Sequence, residues 1–172
     1  MSVSEQIEPV TLQDMKASIG SILLLWSSVE RELTQRIEAL SDGQVKNGAH
    51  TISQKISRWK DLQAIACAER PEHKTLLTNV HERLTQALDI RNRIAHGLIG
   101  IAVDPFGHRG DAGLETEMNG EKRILRYGEL EHLMRVLSHL KWAIVSLSDA
   151  AIQKDPRKAE NAYAGMRLNH LP

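Results

Sequence analysis

The stretch that decides how the rest of this chain is interpreted is Asp89-Ile90-Arg91-Asn92-Arg93-Ile94-Ala95-His96-Gly97. Apolar residues precede it at three- and four-residue intervals: Leu77, Val80, Leu84 and Ala87. This spacing predicts a helix in which Arg91 occupies the next position of the apolar stripe, before Ile94. Because a guanidinium is rarely buried without a partner, we expect an anion close to Arg91.

Arg91, Asn92 and His96 share one side of this predicted helix. At about 100° per residue, Asn92 lies about 100° and His96 about 140° from Arg91. Asn92 and His96 are separated by one helical turn and therefore lie on the same face. Two interpretations are open. Either Arg91 belongs to a buried ion pair while Asn92, His96 and Gly97 finish the helix, or the three side chains form a site for an anion.

The pattern elsewhere predicts three more amphipathic helices. Apolar residues at helical spacing predict a first helix over 12–40, a second over 51–69 and a fourth over 129–153, and the third extends from Pro71 to residue 97 or 98. Proline at its first position and an acidic residue after it favour that start.

Between the third and fourth helices, the apolar residues no longer follow the spacing of a helix. Residues 98–103 are apolar and β-prone, and residues 104–113 are polar and rich in turn formers. Leu114–Met118 and Arg123–Tyr127 flank Asn119-Gly120, a dipeptide typical of two-residue hairpin turns. The sequence predicts a small β-hairpin here.

The predicted class is therefore all-α: a four-helix bundle with a small β-hairpin inserted between its third and fourth helices. The 172 residues are expected to form a single domain, with a core over about 10–154 and a C-terminal tail over 155–172 that holds at most one short helix.

Composition limits the classes of function. Hydrophobic content of 41% and charged content of 26% are typical of a folded chain, and the formal net charge of +0 means that any RNA contact must come from a local patch. The single cysteine, Cys67, has apolar neighbours typical of core packing. With no apolar run long enough for a membrane and no N-terminal signal pattern, a reducing cytoplasm is the expected location.

Metal and nucleophile motifs are weak. Glu129-x-x-His132 resembles half of a carboxylate-bridged di-iron site, but no second Glu-x-x-His pair accompanies it. There is no Gly-x-Ser-x-Gly motif and no glycine-rich phosphate loop. We therefore expect neither a metal nor a cofactor.

The order Arg91-Asn92-x-x-x-His96-Gly97, at the end of a long amphipathic helix, resembles the Arg-x4-His signature of the HEPN superfamily. The helical plan is similar to that family over roughly residues 10–154. The resemblance implies an all-α domain, and many such domains are metal-independent RNases or the toxin half of toxin–antitoxin pairs.

Carried onto this chain, the resemblance implies that Arg91, Asn92 and His96 are catalytic. Arginine would stabilise the phosphorane, histidine would act as acid or base, and the asparagine would orient one of them. Arg93 would add an RNA contact, and Glu30 is a candidate anion for Arg91, with a solvated surface role as its alternative. Because each chain would supply one histidine to this site, the resemblance implies a homodimer that places two copies of the site together.

The expected function is thus a metal-independent endoribonuclease of HEPN type, a toxin or defence effector with RNA as substrate. The alternative is a non-catalytic HEPN-like module that binds RNA, a nucleotide or a partner protein. Family members imply an antitoxin or a nucleotidyltransferase as partner. However, Leu98 occupies the position of the tyrosine that some HEPN toxins use for silencing by nucleotidyl transfer, so that mode of control is not expected. The inserted hairpin resembles another branch of the family.

Overall fold

The computed structural model describes residues 9–41, 51–103, 112–153 and 156–168. Within these ranges the chain forms five helices and three strands, in this order: α1 Leu12–Leu40, α2 Ile52–Ala66, α3 Pro71–His96, β1 Leu98–Ala102, β2 Gly113–Met118, β3 Glu121–Arg126, α4 Tyr127–Ile152 and α5 Pro156–Leu168. The described chain is therefore mostly helical, with a small antiparallel sheet between α3 and α4.

Local capping explains where the first two helices begin. At the start of α1, the Thr11 backbone N–H donates to Asp14 Oδ2 at 2.8 Å, and the Asp14 N–H donates to Thr11 Oγ1 at 3.2 Å. Thr51 and Gln54 form the same reciprocal pair before α2. Each arrangement satisfies backbone donors that have no partner inside the helix.

The core lies between the helices and is built mainly from α1 and α4, the most extensively paired elements, with α2 and α3 completing it. Trp26 and Trp59 are fully buried within it, whereas Trp142 on α4 is 38% exposed. Cys67 is buried, as the sequence predicts, and burial raises the pKa of its thiol.

The sheet is larger than the sequence predicts. The hairpin exists, with Asn119 at φ 54° and Gly120 at φ 78° forming its turn, and these positive values are why asparagine and glycine suit the two positions. Its second strand begins at Glu121 because two residues suffice for the turn, and Tyr127 belongs to α4 instead of the strand. The β-prone run after α3 becomes β1, which pairs antiparallel with β2.

The C-terminal segment contributes to packing. Helix α5 lies against α4 and buries Ala159, Tyr163 and Met166 in the core. The packed core therefore extends beyond residue 154, where the sequence pattern places its end, because α5 offers these apolar positions at three- and four-residue spacing. The predicted loop at residues 104–113 lies mostly outside the described residues.

A helix that spans a membrane needs roughly 20 consecutive, predominantly apolar residues. No helix within the described ranges combines the length and the apolar character that a membrane span requires.

Candidate functional site

Arg91 brings the three predicted polar side chains together. Its Nη1 donates to Asn92 Oδ1 at 3.1 Å and lies 3.4 Å from His96 Nε2. Asn92 and Arg91 are half-buried, and His96 is exposed at the last position of α3. A cation, an amide and an accessible imidazole therefore meet at one helix end.

The geometry follows from the helix and from the length of the arginine side chain. Leu84, Leu88 and Ile94 hold the apolar face of α3 in the core, while Arg91 lies at the edge of that face. From there its guanidinium reaches along the helix surface to the final turn, where His96 lies. Arg91 is therefore only half-buried at its predicted position on the apolar stripe, and its guanidinium lies at the boundary between the core and solvent.

Among the described residues, the contacts of Arg91 do not include an ion pair. Within residues 9–41, 51–103, 112–153 and 156–168, no carboxylate lies within ion-pair distance of Arg91. Its Nε is buried and has no hydrogen-bond partner in the same ranges. A buried donor without a partner is uncommon and costs free energy, and the buried Nε is not itself accessible to a ligand. An anion would meet the terminal nitrogens of the guanidinium, of which Nη1 lies 3.4 Å from the exposed His96.

Glu30, a candidate for the anion beside Arg91, lies elsewhere. Its carboxylate accepts a hydrogen bond from Lys55 Nζ at 2.8 Å and so joins α1 to α2. Glu30 follows the buried Val29 and is half-buried, which agrees with its position beside the apolar stripe. The sequence does not indicate which basic residue it meets, because that depends on the packing of two helices.

Arg93 differs from the sequence-based expectation of an RNA contact. Its side chain is only 7% exposed, its Nη2 donates to Glu121 Oε2 at 2.7 Å, and its Nε donates to Asp89 Oδ2 at 3.2 Å. The hydrogen bond to Glu121 raises the pKa of Arg93. With two carboxylates already bound and little exposure, Arg93 is a structural ion-pair residue that joins α3 to β3.

The ion pairs continue from Asp89 to the next elements. Asp89 Oδ2 also lies 3.9 Å from Arg123 Nη1, and Arg123 Nη2 donates to Glu129 Oε1 at 2.8 Å. Glu129 Oε2 in turn accepts from the Arg126 backbone N–H at 2.8 Å. This series of contacts connects α3, β3 and α4, and it engages the Glu129 carboxylate of the Glu129-x-x-His132 motif.

Gly97 ends α3 for a reason that the sequence does not reveal. Its φ of −117° is accessible to any residue, so a left-handed cap is not involved. Instead β2 passes directly against it: the Glu117 N–H donates to Gly97 O at 2.7 Å, and a Cβ built at Gly97 would lie 2.7 Å from Glu117 O. Glycine is required here because the backbone of another strand comes too close for a side chain.

A second polar cluster lies in the core, and the sequence analysis does not predict it. His73 is fully buried, with its Nδ1 3.0 Å from the Tyr163 hydroxyl and its Nε2 2.9 Å from Gln63 Oε1. Gln63 Nε2 and Trp59 Nε1 both donate to Ser148 Oγ, at 2.8 and 3.0 Å. Burial lowers the pKa of His73 to about 4, so the imidazole is neutral near pH 7. This cluster joins α2, α3, α4 and α5 and has no access to substrate.

In the part of the chain that the structure describes, no group of three or more His, Cys, Asp or Glu side chains is arranged to hold a metal ion. At the end of α3, the described side chains that meet are an arginine, an amide and an imidazole.

Comparisons of the chain with family models, with curated proteins and with solved structures give no match.

Proposed function

We propose that this chain is a metal-independent endoribonuclease of HEPN type, with Arg91, Asn92 and His96 as its catalytic group. The observation that carries the proposal is the contrast between two neighbouring arginines. Arg93 is buried against two carboxylates, whereas Arg91 contacts only an amide and an imidazole among the described residues. A cation left without a counter-charge beside an accessible histidine suits a phosphate group, which an arginine binds through two parallel hydrogen bonds.

The chemistry follows from these groups. A base removes the proton of the ribose 2′-hydroxyl, the 2′-oxygen attacks the adjacent phosphorus, and the bond to the 5′-oxygen of the next nucleotide breaks as an acid protonates that oxygen. The products are a 2′,3′-cyclic phosphate and a 5′-hydroxyl. Arg91 would stabilise the negative charge of the phosphorane, and His96 would serve as the acid or the base.

One chain supplies one histidine to this group. We propose that two chains associate with their α3 ends adjacent, so that one His96 acts as base and the other as acid. The exposure of His96 at a helix end supports this arrangement, because the imidazole is accessible to a second copy and to RNA.

Within this proposal the packing of α1 to α4 represents a HEPN-type four-helix bundle, and the sheet and α5 are additions to it. The biological role would be that of a cytoplasmic toxin or defence effector, controlled by an antitoxin or another partner. Leu98 remains an argument against silencing by nucleotidyl transfer at that position.

The test is cleavage of a broad RNA pool by purified protein in excess chelator, with the new ends mapped. Wild-type protein should leave cyclic phosphates, and His96→Ala should reduce the rate by ~10²–10⁴-fold, as expected for a general acid or base. His132→Ala is the matched control, since it removes another exposed histidine, on α4, and should cleave like wild type.

The enzymatic proposal would be falsified by folded wild-type protein that cleaves no more RNA than His96→Ala does. Retained RNA or nucleotide binding that is lost in Arg91→Leu would then support the non-catalytic binding module. Arg91, which has no ion pair among the described residues, favours that second function as well, because anion binding needs no catalysis.

A further inference from the structure

The final turn of α3 contacts the hairpin on both sides of His96. One is the backbone hydrogen bond from the Glu117 N–H to Gly97 O at 2.7 Å, at the residue directly after His96. The other is the ion pair between Arg93 Nη2 and Glu121 Oε2 at 2.7 Å, three residues before His96. His96 therefore lies between two attachments to the same hairpin.

Arg93 contributes to this turn through its backbone as well. Its carbonyl accepts the Gly97 N–H at 2.9 Å and so closes the turn that contains His96. Helix ends fray readily, because their last carbonyls have no partner inside the helix. A guanidinium bound to the hairpin and a carbonyl bound to Gly97 together oppose that fraying at the residue that carries the imidazole.

We infer that Arg93 and Glu121 are positioning residues for His96, and that the hairpin sets the direction of the imidazole relative to Arg91. The catalytic consequence of this inference rests on the proposed function, whereas the structural part does not. Neither residue touches the reacting atoms in this scheme. They act by holding the final turn of α3, which carries His96, in one conformation.

Because Glu121 is exposed, its effect on the position of His96 can be measured separately from its effect on the stability of the fold. Its side chain is 69% exposed, and ion pairs at such sites add little to the free energy of unfolding. Because Arg93 keeps its contact with Asp89, removing the Glu121 carboxylate should leave the fold intact. Arg93 then keeps a weaker link to the hairpin, the 3.5 Å hydrogen bond from its Nη1 to the backbone carbonyl of Glu121. Asp89, the other carboxylate bound to Arg93, lies on α3 itself and reaches β3 through a longer contact of 3.9 Å with Arg123 Nη1.

The experiment compares Glu121→Ala with wild type by NMR of the histidine side chains, with the His96 signals assigned from His96→Ala. In Glu121→Ala the His96 ring and the Gly97 backbone amide should change chemical shift and broaden, because the final turn samples more conformations. Lys122→Gln is the matched control, because it removes the longer and more exposed 3.8 Å pair with Glu117 on the same hairpin. It should leave both signals unchanged.

RNA cleavage supplies the second readout. Glu121→Ala should lower kcat roughly tenfold with KM within about twofold of wild type, because a misplaced acid or base slows the chemical step more than it weakens binding. Glu121→Gln retains an oxygen that accepts from Arg93 and should recover part of the loss. A thermal unfolding scan verifies that each variant is folded.

Unchanged His96 signals in folded Glu121→Ala overturn the inference, whatever the cleavage assay gives. Changed signals with lower kcat support it. Changed signals together with wild-type protein that cleaves no RNA support positioning and reject the proposed function, so the two failures are distinguishable.

Discussion

Acidification should weaken this protein through His73, the histidine buried among α2, α3 and α5. In the folded state its pKa is about 4, against an ordinary value of 6.5 for an exposed imidazole. Above pH 7 the ring is neutral in both the folded and the unfolded chain, so it gives no pH dependence. Between pH 6.5 and pH 4 the unfolded chain binds a proton that the folded protein does not, and the free energy of unfolding must fall as the pH falls.

The size of the effect follows from the shift. A difference of about 2.5 pKa units corresponds to about 3 kcal/mol at most, because each unit is worth about 1.4 kcal/mol. Most of this accrues before pH 4, and the expected loss between pH 7 and pH 5 is about 2 kcal/mol. Such a loss is a large fraction of the stability of a small domain.

Urea unfolding at pH 7, 6, 5.5 and 5 measures the slope, and the difference between wild type and His73→Gln isolates the contribution of this residue. The amide cannot take up a proton in this range, so its profile should be flatter by about 2 kcal/mol over the interval, whatever stability it has at pH 7. His132→Gln, at an exposed position on α4, controls for histidine content. Parallel profiles for wild type and His73→Gln would show that the His73 imidazole is not held neutral by the fold.

Three further outcomes are expected. Gly97→Ala should lower the free energy of unfolding by about 1–3 kcal/mol, because its Cβ would lie 2.7 Å from Glu117 O. Gly20→Ala is the control within α1, where the new Cβ meets open space, and it should raise the free energy of unfolding by about 0.5–1 kcal/mol. Thermal unfolding measures both changes. Arg91→Leu should unfold at the same or a higher temperature while anion binding is lost, since no described carboxylate is left without its cation, and a drop of many degrees would assign Arg91 a structural role instead. Sedimentation at micromolar concentration should give a dimer that buries more than ~1,000 Å², and a stable monomer would contradict a site shared between two chains.

The sequence anticipates the elements better than their assembly. Helix α1 begins and ends where the spacing of its apolar residues places it, and α3 begins at Pro71 as expected. The Asn119-Gly120 turn was predictable because both residues tolerate a positive φ. These features depend on residues close together in the chain, which is why a pattern can reveal them.

Contacts between distant residues were harder to anticipate. The partner of Arg93 lies 28 positions away on β3, and the partner of Glu30 lies 25 positions away on α2. Burial lowers the pKa of His73 and keeps its ring neutral, and its hydrogen-bond partners Tyr163 and Gln63 lie on two other helices, which its neighbours in sequence do not identify. For the candidate site, the spacing placed Arg91, Asn92 and His96 on one side of α3, and their side chains do meet there. Only the three-dimensional structure reveals that Arg93, on the same helix, is ion-paired with the hairpin.

The pairing of α1 with α4 has a consequence for how the chain folds. These helices form the most extensive contact in the core, and the Arg36–Asp149 ion pair joins residues 113 positions apart. During synthesis α1 leaves the ribosome before α4, the helix that packs most extensively against its apolar face. The core therefore cannot form until α4 has also been synthesised. Long-range contacts of this kind slow folding and lengthen the exposure of apolar surface. Early truncation should therefore produce a collapsed or aggregating chain, even though the Arg91 and His96 segment is complete well before α4 appears.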